Sequence, residues 1–86
     1  MDINSLNSII EKKISQNISC KKIIIEDKTY LHKNHKSHEK NKFHIKLIIK
    51  SDELLKMNRI ESTKTIYKIL DHELKYYIHS IEVLLN

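Results

Sequence analysis

Six histidines stand among 86 residues, and their spacing sorts them into groups with different chemistry. His32, His35 and His38 recur every third residue in the run His32-Lys33-Asn34-His35-Lys36-Ser37-His38. A neutral imidazole is a common ligand for borderline metals, and several in one polar loop can rotate toward a single ion. The same run also reads as solvated surface. His79 has more ordered surroundings: Ile66 through Tyr77 has helical spacing, and Ile78, Ile81 and Val83 follow as a strand. At the head of a strand, a ring is held by the sheet while its edge reaches the sheet's end. From the residues alone, His79 is either a satisfied structural histidine or the anchored half of a metal site that the loop cluster and a partner complete. His44 falls on the lysine-bearing face of another strand and reads as a surface or ledge histidine. His72, beside Asp71 and Glu73, reads as facing water. There is no CxxC and no HExxH, so a closed zinc site is not expected. Ser37 beside His38 is adjacency in a loop and not an oriented nucleophile–base pair, so no enzyme is expected.

Ordered elements must position these rings. Ile3, Leu6, Ile10 and Ile14 form one apolar stripe on a helix that Asp2 can cap, ending near residues 15–17. Lys22 to Asp27 is a β-branched run of strand length. Residues 28–41 show no apolar periodicity and read as a long loop. Phe43, Ile45, Leu47 and Ile49 alternate with His44, Lys46, Ile48 and Lys50, which predicts a strand with one buried face. Residues 51–58 turn the chain, with Leu54 and Leu55 tucked against the core. A long helix is expected over 59–77, its apolar side formed by Ile60, Thr63, Ile66, Tyr67, Leu70, Leu74 and Tyr77. A third strand follows from Ile78 to Leu85. The expected fold is α+β in the order α-β-β-α-β, a three-stranded sheet covered by helices on one face.

Composition narrows the function. A chain of this length buries about 60–65% of the surface its unfolded form exposes, which suits an adaptor better than an enzyme with a deep pocket. The formal charge is +5, but the lysines are spread along the chain, as on a solvated surface, and not gathered into a nucleic-acid footprint. Glycine and proline are absent. That excludes phosphate-cradling loops, dinucleotide fingerprints and the GXXG clamp for single-stranded RNA. Turns needing positive φ fall to asparagine, with Asn34, Asn41 and Asn58 as candidates. Cys20 is the single cysteine, so no internal disulfide is available. No apolar stretch has the length of a signal peptide or membrane span. A cytoplasmic protein with no membrane partner is expected.

Over nearly its whole length, the chain resembles the BolA family. Ile10-Glu11-Lys12-Lys13-Ile14 is similar to that family's amino-terminal helix. Asp27-Lys28-Thr29-Tyr30-Leu31-His32-Lys33-Asn34-His35 resembles its acidic-hydroxyl stretch leading to histidines. Phe43-His44-Ile45-Lys46 resembles its Ser-His-Phe-Lys strand, with Phe43 and Ile45 in place of Ser and Phe. Ile66-Tyr67 through Ile78-His79 resembles the end of its long helix and its signature histidine. The chain departs from the pattern at Lys56, where the family has glycine. It departs again at Ser62-Thr63-Lys64, where a basic patch is usual, and at Cys20, where proline is usual. The resemblance implies a single domain over residues 1–86 with a class II KH-like fold. It also implies a non-enzymatic adaptor that pairs with a monothiol glutaredoxin to hold or transfer a shared [2Fe-2S] cluster, with no cofactor when alone. Carried over, His79 is the fixed ligand, and His35 or His32 is the loop ligand, with His38 third. Alone, the protein is expected to be a monomer or weak homodimer. The rival implication is a DNA-binding transcription regulator that contacts phosphates through Lys64, Lys68 and Lys75 of the long helix.

Overall fold

The computed structural model describes residues 1–29 and 42–86. Asn34 and Asn41, two of the expected turn residues, lie outside them.

Helix α1, Ile3–Asn17, begins where the Asp2 carboxylate accepts from the Ser5 amide at 2.8 Å. That amide holds the Asp2 carboxyl below its usual range. Leu6, Ile10 and Ile14 are the buried stripe expected from their spacing. Strand β1, Lys22–Asp27, follows, and β2, Phe43–Lys50, pairs antiparallel with it. Strand β3, Ile78–Leu85, pairs parallel with β2, giving the order β1-β2-β3. Ile45, Leu47 and Ile49 point inward from β2 and pack with Leu6, Ile10, Ile14, Ile66, Leu70 and Ile78 in the core. Each such side chain contributes about 1.5–3 kcal/mol by leaving water.

Between β2 and β3 the chain departs from expectation in four places. Ser51 caps the short helix α2, Asp52–Leu55: its hydroxyl accepts from the Leu54 amide at 3.2 Å and donates to the Ser19 carbonyl at 2.7 Å. This fixes Leu54 inside and leaves Leu55 outside, 52% exposed, although both were expected to be tucked in. Asn58 does not adopt positive φ. At φ −71° it caps helix α3, Arg59–Ile69, accepting from the Glu61 amide at 2.8 Å. The single helix expected over 59–77 is broken at Leu70, whose ψ of 19° separates α3 from α4, Asp71–Tyr76. The buried positions along the pair are Ser62, Ile66, Leu70 and Glu73. Ile66 and Leu70 are buried and Leu74 and Tyr77 pack against the core as expected, whereas Ser62 and Glu73 are buried and Ile60 and Tyr67 face solvent.

Glu73 enters the stripe because it has a partner. The Lys13 ammonium, on α1, lies 2.9 Å from Oε1 and 2.7 Å from Oε2, and the pair ties α4 to the first helix. Among the described residues, no helix is long and apolar enough to cross a membrane.

Candidate functional site

Two histidines meet at the end of the sheet where β3 begins. Helix α4 delivers the chain to this point. The Tyr77 amide bonds the Glu73 carbonyl at 2.8 Å, and the Tyr77 carbonyl accepts from the Phe43 amide at 2.9 Å. Ile78, opposite Phe43, is buried. The next pairing, however, is His44 with Ser80, so one step on β2 spans two on β3. His79 is the extra residue of this bulge. It has no paired position in the ladder, and both it and Ser80 are exposed. Beyond it, inward Ile81, Val83 and Leu85 alternate with outward Glu82 and Leu84. A bulge of this kind re-aims a side chain without ending the strand.

His44 is the fixed member. It was expected at the surface and is instead 5% exposed. The lysine-bearing face of β2 is therefore not solvated along its whole length. Its ring Nδ1 and the Ser80 Oγ are hydrogen-bonded at 2.7 Å. Its backbone is held as well: the amide donates to Thr29 Oγ1 at 3.2 Å, and the carbonyl accepts from the Lys28 amide at 2.7 Å. Thr29 is set in turn by Asp27, whose carboxylate accepts from both its amide and its hydroxyl. The Asp27-Lys28-Thr29 stretch thus pins the chain leaving β1 to His44. The His79 ring lies against His44, with centroids 5.0 Å apart and planes inclined at 57°.

The remaining candidates divide cleanly. His32, His35 and His38 lie outside the described residues, as does Ser37. His72 is exposed, as expected, with its ring 4.9 Å from that of Tyr76. Lys64 and Lys68 are exposed on α3. Lys75 is exposed on α4 and paired with Asp71 at 3.2 Å. Among the described residues, no group of three or more His, Cys, Asp or Glu side chains is placed to hold a metal ion. Among the described residues, His79 offers an exposed imidazole at the rim, and an imidazole nitrogen is a ligand that can hold one iron of a [2Fe-2S] centre.

Sequence reasoning missed Ser80 and misjudged His44. The signal for Ser80 is the spacing of its neighbours: Ile78 and Ile81 are three apart, while Ile81, Val83 and Leu85 are two apart. A strand that shifts phase once has an extra residue at the shift.

A three-stranded mixed sheet with helices on one face, and a strand histidine at its rim, defines a small α+β domain. Residues 14–85 match the BolA-like protein family, and the chain belongs to it. A curated relative is the DNA-binding transcriptional regulator BolA of Haemophilus influenzae. It is 29% identical over 77 residues, which cover 90% of this chain and 72% of the relative. Among solved structures, the BolA domain of SufE1 from Arabidopsis thaliana superposes with a TM-score of 0.77 at 22% identity, covering 100% of this chain and 93% of that one. BolA1 from the same plant gives 0.76 at 22% identity, with 91% and 86% covered. These two likenesses are of fold.

Proposed function

We propose that this chain is a non-enzymatic adaptor that pairs with a monothiol glutaredoxin to hold or transfer a [2Fe-2S] cluster in a reducing, cytoplasmic setting. The observation that carries this reading is the exposed His79 ring on its bulge, set against a buried second imidazole. In this reading His79 supplies one ligand, and a histidine of the 30–41 segment supplies another: His35 or His32, with His38 third. The glutaredoxin and glutathione supply thiolates. A neutral imidazole in place of an anionic thiolate changes the charge of the centre and raises its potential. It must be deprotonated to bind, so the shared centre is labile to acid. The chain's positive charge favours encounter with an acidic partner surface.

The test is to mix the protein with a cluster-loaded monothiol glutaredoxin and follow the visible spectrum. The mixed complex has a spectrum distinct from that of the glutaredoxin alone, and His79→Ala removes the difference. A spectrum unchanged by that substitution overturns the ligand assignment.

The Haemophilus influenzae relative supports a second reading, a DNA-binding regulator that uses Lys64, Lys68 and Lys75. A salt titration separates the two. Specific binding survives physiological salt, whereas attraction to a merely basic surface falls steeply as counterions compete.

A further inference from the structure

We infer that Ser80 and His44 are a positioning pair for His79. The inference rests on the adaptor reading for its purpose, but its geometry stands apart from that reading.

A histidine at a bulge faces a problem that a ladder residue does not. It lacks a paired position across the strand, and solvent gives its ring no preferred direction. Here one face of the ring has a wall. The separation of 5.0 Å and the tilt of 57° lie within the range in which aromatic rings hold one another. The wall is useful only if it is itself immobile, and His44 is fixed by bonds to Thr29, Lys28 and Ser80 among the described residues. Its amide and carbonyl bond Thr29 and Lys28, and its ring bonds Ser80. Burial leaves the ring little room to turn.

The bulge supplies the third part of the device. In an unbroken ladder His79 and Ser80 would point to opposite faces. The extra residue turns both outward, so the hydroxyl that orients His44 and the ring that rests on His44 come from adjacent positions on one strand. Ser80 therefore acts on His79 through His44. A ligand ring held in one orientation loses less freedom when a partner binds it than one that must first be ordered.

The experiment uses the full chain with its histidine rings labelled with carbon-13. Wild-type His79 should show one dominant side-chain orientation by ring shifts and coupling constants. In Ser80→Ala the alternative orientations should rise about fivefold, the factor controlled by one ordinary hydrogen bond. Ser80→Thr, which restores the hydroxyl, should return them to the wild-type level. Ser80→Ala removes the partner of the buried His44 ring and should lower the urea midpoint modestly, so the His79 orientations are read in the absence of denaturant, where both variants are folded. With cluster-loaded monothiol glutaredoxin, Ser80→Ala should broaden the visible circular dichroism bands of the mixed complex, and Ser80→Thr should not. A Ser80→Ala protein whose His79 signals match wild type overturns the inference, even if His79→Ala abolishes the mixed cluster. If His79→Ala leaves the mixed spectrum untouched, the adaptor reading falls, and with it the purpose assigned to the pair.

Discussion

His44 and Glu73 are both buried titratable side chains, 5% and 2% exposed, and both lie in stretches that the sequence presents as polar surface. Their surroundings differ. Glu73 is matched by a charge: its carboxylate takes both short contacts from Lys13 and spans from α4 to α1. His44 is matched by the Ser80 hydroxyl at its ring and by the Thr29 hydroxyl and Lys28 amide at its backbone, and its ring lies against that of an exposed neighbour. The first arrangement is closed, with its capacity spent between two helices. The second ends at solvent, in the exposed ring of His79. Burial of a polar residue thus has two different outcomes here, one sealed between helices and one whose contacts lead outward to an exposed ring.

The largest expected effect tests the closed side. Lys13→Met leaves the Glu73 carboxylate facing a thioether and should cost about 3 kcal/mol in urea denaturation, the low end for a broken buried pair because Lys13 keeps a wet side. Lys13→Met with Glu73→Leu should recover most of that loss, since a packed apolar pair replaces a buried ionic one at little net cost. The double variant should also form the mixed cluster complex as wild type does. A single variant as stable as wild type would show that the pair does not hold the helices. The open side should behave in the opposite way: His79→Ala should change stability by no more than about 0.5 kcal/mol while removing the mixed-complex spectrum. Thermal melts and visible spectra of the same samples check both halves, and a large stability loss would make His79 structural.

The smallest effect lies away from both regions, at Cys20. Burial, with help from the Glu53 charge, pushes its thiol above the ordinary value of 9.0. The folded chain therefore keeps this proton where the unfolded chain releases it. The contribution to stability is whole below pH 9.0 and is lost as pH rises through the folded value. Cys20→Ala should flatten that alkaline decline, and thiolate absorbance should follow the same curve. A thiol that titrates at its ordinary value would remove the basis for the effect.

Much of the fold was legible because it rests on local periodicity. The stripe of Leu6, Ile10 and Ile14 and the alternation of Phe43 to Lys50 each report one element and one face, and the run from Lys22 to Asp27 reports a strand. What stayed hidden depends on the opposing surface. Alternation assigns His44 to the outward face of β2, but it carries no information about the Thr29 and Ser80 groups that meet it there. Glu73 lies three residues past Leu70 on the buried stripe, yet its charge argues for water until Lys13 is placed across from it. The helix break at Leu70 has no glycine or proline to announce it. His79 was legible as a strand-head histidine, whereas its exposure follows from a phase shift visible only in the spacing from Ile78 to Ile81.

Among the described residues, β3 has one strand neighbour, β2, so its far side offers a row of unpaired amides and carbonyls. A straight apolar edge of this kind is a template on which a foreign strand can grow. The kink between Ile78 and Ser80 spoils that template at its start, and the charge of Glu82 discourages it further along. The irregularity that exposes the His79 imidazole therefore also interrupts the edge on which a foreign strand would grow.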